Sequence, residues 1–266
     1  MRVYLVAILV LVFSVSCSEY QKVLKSNDPE VKYEKAVYYF EKNDFMRAST
    51  LFDEISKYYR GTEKSEKILN YLARSYMGQK DYFTAIEYYK TYVKTYPKGI
   101  FITEARFMIG YCYYKDSPDA RLDQTATHDA IQAFQEFIDV FPDSERVPEA
   151  NKLLDELKNK LVLKELLSAR LYYNLGSYLG NNYLSAIIVA QNALKNYPSN
   201  NYREELSYII LQSKYQQAVM SVEDKKIDRY RDTIDEYYNY INEFPSGKYA
   251  KEASRIYADS KKLVKD

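Results

Sequence analysis

The feature that most narrows what this chain can fold into is a recurring aromatic–proline step. Tyr96-Pro97, Phe141-Pro142, Tyr197-Pro198 and Phe244-Pro245 follow one another at intervals of 45, 56 and 47 residues, and a period of this length is the signature of stacked helical hairpins. Proline lacks the backbone donor that a helix interior needs, so each step marks a helix end. The windows before the steps are equally regular: Ala85, Tyr89 and Tyr92; Ala130, Phe134 and Phe137; Ala186, Ala190 and Ala193. Offsets of four and three set each trio on one helical face, with a small residue where a neighbouring helix approaches. Upstream, Ala73 and Tyr76 stand to Ala85 as Ala36 and Tyr39 stand to Ala48. Downstream, Glu104-Ala105, Glu149-Ala150, Glu205-Leu206 and Glu252-Ala253 open the next unit at one fixed offset from the proline. An acidic residue there opposes the positive end of the helix dipole.

The unit is therefore helix, turn, helix, and its small-then-aromatic pattern resembles the tetratricopeptide repeat, without the Trp of that family's early aromatic position. The spacing predicts an all-α, tetratricopeptide-like solenoid of about five repeats with a C-terminal capping helix. Asp28-Pro29-Glu30 reads as an N-cap with proline in the first turn. From Pro148 to Leu175 no breaker interrupts a leucine-rich run, which predicts one long helix joining two halves. Two segments break the period, Lys115 to Thr127 and Gly176 to Asn182. The expected organisation is a leader over 1–16, a tether over 17–27, repeats one to three over 28–145, and the long helix, repeats four and five and the cap over 146–266.

Arg2 precedes an apolar run from Val3 to Phe13, followed by Ser14-Val15-Ser16-Cys17. The run is too short for the roughly 20 residues that cross a bilayer but suits a secretory leader. An ending on small residues and Cys resembles a bacterial lipoprotein signal, although Ser14 stands where that pattern usually has Leu. The expectation is cleavage before Cys17 and a covalent lipid on its thiol. The polar segment 18–27, if extended, reaches at most roughly 33 Å. Loss of Arg2 balances the 38 basic and 37 acidic side chains, so the mature chain offers no general electrostatic attraction to nucleic acid or anionic lipid. With Cys17 acylated, Cys112 has no cysteine to pair with.

Catalysis needs a positioned set of titratable groups, and one His, one remaining Cys, no phosphate loop and no metal-ligand spacing do not supply it. The expectation is no enzyme, no metal and no cofactor beyond the lipid. His128 reads as a solvated or capping residue and Cys112 as a small packing residue. Most of the 31 tyrosines, including Tyr39, Tyr76, Tyr89, Tyr92 and Tyr113, read as repeat packing.

Asp123-Gln124-Thr125, the run His128-Asp129-Ala130-Ile131-Gln132-Ala133-Phe134-Gln135-Glu136-Phe137, Phe141-Pro142-Asp143-Ser144 and Ala169-Arg170-Leu171-Tyr172-Tyr173 resemble the BamD family, lipoprotein subunits of the machinery that assembles β-barrels in the outer membrane of Gram-negative bacteria. The resemblance covers nearly everything after residue 16 and departs at the Gly176 to Asn182 insertion. It implies a lipid-anchored outer-membrane adaptor without enzymatic activity, facing the periplasm. Its N-terminal half would receive segments of unfolded outer-membrane proteins, and its C-terminal half would dock on a BamA-like barrel-assembly protein. By likeness to tetratricopeptide arrays, the ligand groove is lined from the first helix of each pair, which here gives Tyr33, Val37, Asn70, Arg74, Phe107, Tyr111 and Tyr114. Two other readings are a periplasmic coordinator of cell-wall synthesis, which commonly carries an N-terminal coiled coil not seen before Asp28, and a surface glycan-binding lipoprotein, which usually stacks sugars on Trp.

Overall fold

Side-chain caps start several helices of this chain, and they recur at the turn inside the hairpin. In the computed structural model, which describes residues 19–264, Asp28 accepts from the Glu30 N–H at 2.8 Å and opens α1 (Pro29–Glu41). Asp44 caps α2 (Phe45–Ser56) and Asp81 caps α4 (Tyr82–Thr95), each accepting from the backbone three residues on. Between them lies α3 (Glu63–Gly78). The residue before each of these two caps has a left-handed backbone, Asn43 at φ 59° and Lys80 at φ 63°. A three-residue turn thus reverses the chain at both places, and the cap satisfies donors that the new helix cannot.

α5 (Ile102–Asp116) and α6 (Thr125–Val140) form the third hairpin, and α7 (Val147–Leu175) is the long helix. α8 (Asn182–Asn196), α9 (Arg203–Val219), α10 (Glu223–Glu243) and α11 (Ala250–Leu263) follow. The described residues are all-α, with hairpins α1–α2, α3–α4, α5–α6, α7–α8 and α9–α10, and α11 closing the series. This is the tetratricopeptide-like class that the spacing predicts. Five alanines at repeat-core positions, Ala48, Ala73, Ala85, Ala130 and Ala186, are fully buried, as are Tyr92, Phe134 and Phe137. Small residues let helix axes close up, and the rings fill the space between successive pairs. Gly110 carries this furthest, since a Cβ there would lie 2.8 Å from the Phe134 ring.

Contacts divide the chain into two compact units. One holds the described residues up to Ser117 and Thr125–Asn151, the other Pro118–Gln124 and the residues from Lys152 on. The division lies inside α7 rather than at the expected 145/146 step, because the long helix gives its first turn to one core and the remainder to the other. Residues 118–124, expected to belong with the N-terminal repeats, count with the second unit. There Lys164 Nζ donates to the Leu122 carbonyl at 2.7 Å, and the buried Gln124 amide donates to the Asp119 and Leu122 carbonyls. Within the second unit, Val162, Leu166 and Ala169 of α7 pack with Ala186 and Ala190 of α8 and Leu206 and Ile210 of α9.

The tether needs correction. Residues 19–24 are helical, Val23 is buried, and Tyr20 and Leu24 pack beside it on the first core. Tyr20, Val23 and Leu24 stand at the three-and-four spacing of an apolar helical stripe, so this part of the segment is docked and its extended reach does not apply. The leader 1–16 and Cys17 lie outside the described residues.

Candidate functional site

The residues expected to line a groove fall on α1, α3 and α5, and the structure sorts them into three kinds. Tyr33 and Val37 of α1 are half-buried on the first core. The Tyr33 ring meets Phe52 edge-on at 6.2 Å and Tyr59 at 5.9 Å, with Lys64 Nζ 4.8 Å over its face. Burial foremost raises the Tyr33 hydroxyl above its ordinary pKa. These two residues present edges to solvent, not whole side chains.

On α3, one turn apart, Asn70 is buried and Arg74 is exposed. The Asn70 Oδ1 has no hydrogen-bond partner among the described residues. The Arg74 guanidinium lies 4.9 Å over the Phe40 ring, and Phe40 in turn packs at 4.9 Å against Tyr71. A cation over an aromatic face keeps its charge and its in-plane donors free for another group. Phe40 was not among the expected residues; its place four before Asp44, on the same face as Ala36, was the available signal.

On α5 one expectation fails. Phe107 is 1% exposed, held between Phe134 at 5.6 Å and Phe137 at 5.5 Å, with the Arg146 guanidinium 4.5 Å above it. Phe107 is core, because the α5 face that meets α6 is wider than the alanine stripe alone indicates. Tyr111 stacks on it at 6.1 Å and Tyr114 follows at 6.2 Å. Lys115 Nζ sits 5.1 Å from the first of these rings and 5.5 Å from the second. Tyr89 of α4 is fully buried, its hydroxyl without a partner among the described residues and pushed far above its usual range by burial, then by Cys112 and Glu104, with Arg74 acting the other way. The structure thus groups Tyr33 with Val37, and Phe107 with Tyr111 and Tyr114, while Asn70 and Arg74 form a separate polar pair.

Carboxylate–tyrosine links hold the scaffold around these residues, and they were not foreseen. Asp53 of α2 accepts from Tyr76 of α3 at 2.8 Å and from Tyr88 of α4 at 2.5 Å, and the two rings stack 5.3 Å apart. Burial first, then the Asp53 carboxylate, pushes Tyr76 up to about 12 and Tyr88 further. Tyr92 donates to Glu66 and accepts from the Phe101 N–H at 2.9 Å, while Glu66 also accepts from the Ile100 N–H at 2.7 Å. In the second unit Tyr240 donates to Glu204 at 2.9 Å, and Glu204 accepts from the Tyr249 N–H at 3.2 Å. Gly99 and Gly247 close these turns, and a Cβ on either would run into Glu66 or Glu204. The sequence signal was the glycine three residues after the aromatic of Tyr96-Pro97 and Phe244-Pro245.

Cys112 is buried, its thiol pushed up to about 12 by that burial, and His128 is exposed near the start of α6. Among the described residues no group of three or more His, Cys, Asp and Glu is placed to hold a metal ion. No helix there is long and apolar enough to cross a membrane.

Compared with known families, residues 25–180 match the one described as YfiO, outer membrane lipoprotein. The chain belongs to that family. Its relatives carry the name outer membrane protein assembly factor BamD. The one from Rickettsia prowazekii (strain Madrid E) is 23% identical over 210 residues, covering 79% of each chain. That from Caulobacter vibrioides (strain ATCC 19089 / CIP 103742 / CB 15) is 25% identical over 158 residues, 59% of this chain and 52% of the relative. A putative BamD from Aquifex aeolicus (strain VF5) is 25% identical over 230 residues, 86% of this chain and 72% of the relative. The BamD likeness places the chain among outer-membrane protein assembly factors. The family match contains all seven expected groove residues and begins beyond Cys17.

Proposed function

We propose that this protein is a lipid-anchored, non-enzymatic adaptor of β-barrel assembly. Acyl chains on Cys17 hold it at the outer membrane on the periplasmic side. The first unit receives segments of unfolded outer-membrane proteins, and the region 146–266 docks a BamA-like barrel-assembly protein. The carrying observation is Arg74 on α3. Arg74 makes no ion pair among the described residues, and its guanidinium lies 4.9 Å over the Phe40 ring. A guanidinium so held suits the carbonyls and terminal carboxylate of an extended peptide. Tyr111 and Tyr114 add ring faces that accept varied side chains, which a binder of many barrel sequences requires.

Photo-crosslinking to a peptide with a barrel protein's C-terminal sequence tests the groove. Arg74→Ala and Tyr111→Ala should each lower the yield, and unchanged yields in both would remove it. Cys17→Ala should release the chain from outer-membrane fractions. Recovery of a BamA-like protein with the lipidated chain tests the docking role, and its absence would count against that role.

A further inference from the structure

The second unit carries an apolar tip that the groove reading does not use. No Asp, Glu, Lys or Arg occurs between Arg170 and Lys195, or between Lys214 and Glu223, in a chain whose residues are 28% charged. The two uncharged stretches meet in space. The α7–α8 turn and the end of α9, with Arg229 of α10, line a cavity of about 240 Å³ that Ser177, Asn181, Gln217 and Met220 also wall, and Gln217 donates to Asn181 at 3.1 Å. Around it stand Tyr178, Leu179, Met220 and Val222, exposed by 67, 90, 56 and 68%. The charged side chains at and near it are held by local bonds. Arg229 donates to Ser221 at 2.7 Å and to the Gln217 carbonyl, and Lys226 pairs with Glu223. Asp224 and Lys225 offset one another in charge.

Leu179 has φ 52°, a conformation that a bulky residue adopts at a cost and that calls for a reason other than packing when the side chain is solvent-exposed. Much of the turn's backbone is already satisfied. Tyr178 N–H donates to the Leu175 carbonyl at 3.0 Å, Asn182 N–H to the Gly176 carbonyl at 3.0 Å, and the Asn182 side-chain amide to the Tyr178 carbonyl at 2.7 Å.

We infer that this tip, led by Leu179 and Tyr178, dips into a phospholipid surface and gives the protein a second membrane contact besides its anchor. A protein partner would ordinarily meet complementary charge, and both stretches here are uncharged. A lipid surface asks for an apolar point, an aromatic beside it and backbone groups largely bonded internally, and the tip offers exposed Leu179 beside Tyr178 on a turn of that kind. Membership of an outer-membrane lipoprotein family puts such a surface within reach. The inference stands apart from the α3 pair and its peptide.

The chain has no Trp, so Leu179→Trp makes the tip its own reporter. Tyr58→Trp, at a 61% exposed site of the first unit, serves as reference. Each full-length variant is reconstituted with phosphatidylethanolamine–phosphatidylglycerol vesicles containing acyl chains brominated at graded depths. The expected result is a blue-shifted L179W emission, quenched most by bromines about 5–10 Å below the headgroups, with Y58W unquenched. Solvent-like L179W emission on vesicles that carry the protein would overturn the inference. So would equal quenching at both sites, or a shift only when a purified BamA-like protein is added.

Discussion

Tyr89 and Tyr92 lie three residues apart on α4, both fully buried, and deleting the same hydroxyl from each should have opposite consequences. The Tyr92 hydroxyl donates to Glu66 and accepts from the Phe101 N–H. A hydrogen bond to a charged group contributes about 1.5–3 kcal/mol, and a stranded buried donor costs about 1–3 kcal/mol. Phe101 is only half-buried, so water relieves part of the second loss, and Tyr92→Phe should cost about 2–4 kcal/mol. The Tyr89 hydroxyl has no partner among the described residues, so Tyr89→Phe removes an unmatched polar group and should be neutral or stabilising. The assay is urea unfolding followed by alkylation of Cys112, a buried thiol of the first unit that becomes reactive when that unit opens. With a denaturant slope of about 1–3 kcal/mol per molar, Y92F should lower the midpoint by about 1 M or more. A double-mutant cycle with Glu66→Gln should then return a coupling energy, because the two side chains share one bond. Equal midpoint shifts for Y92F and Y89F would refute the reasoning, since they would mean that the ring environment and not the hydroxyl's partners sets the cost.

Gly110→Ala should lower stability even though alanine favours a helix by about 1 kcal/mol, because its Cβ would press on the Phe134 ring and overpacking costs about 1–3 kcal/mol; a raised thermal midpoint would contradict this. Asp81→Ala should cost about 1 kcal/mol by removing the α4 cap, measured by the same urea titration, and a neutral result would show that the Lys80 turn forms without it. Burial and neighbouring carboxylates raise the folded pKa of Tyr59 and Tyr76 to about 12 and of Tyr88, Tyr92 and Tyr240 further. The stability due to these neutral hydroxyls is complete below an unfolded value of about 10 and is lost as pH rises through the folded values. Stability should therefore fall steadily above pH of about 10, less steeply in Tyr76→Phe, and a flat profile there would exclude the effect.

The fold was legible where the physics is local and repeated. A proline ends a helix wherever it falls, and an alanine at a helix crossing leaves the same trace each time, so Ala85, Ala130 and Ala186 mark three hairpins without reference to one another. The long α7 was legible because nothing between Pro148 and Leu175 can break it. The tether was misread for a related reason. Tyr20, Val23 and Leu24 make a stripe only two turns long, and so short a helix acquires its stability from the surface it docks on.

The site was less legible because groove and core share one helix face, and a sequence does not say where one stops. Phe107 and Tyr111 sit one turn apart on α5, yet one is enclosed by Phe134 and Phe137 while the other keeps an open edge. What separates them is the partner helix, and that is information from elsewhere in the chain. The Glu66–Tyr92 and Glu204–Tyr240 links show the same dependence over longer separations. Each joins the first helix of a hairpin to the second and then to the following turn, so the turn that positions the next unit is fixed by a carboxylate from the unit before. Rigidity in such an array is passed from neighbour to neighbour. Where the link is absent, as at Phe137 and Ala193, the turn must be held by other groups: Arg146 bridging Glu104 and Glu149 in one case, and Asn159 accepting from the Asn201 N–H at 3.0 Å in the other. The device changes while its place in the repeat is kept, which is why the proline steps are readable from sequence and the groups that brace them are not.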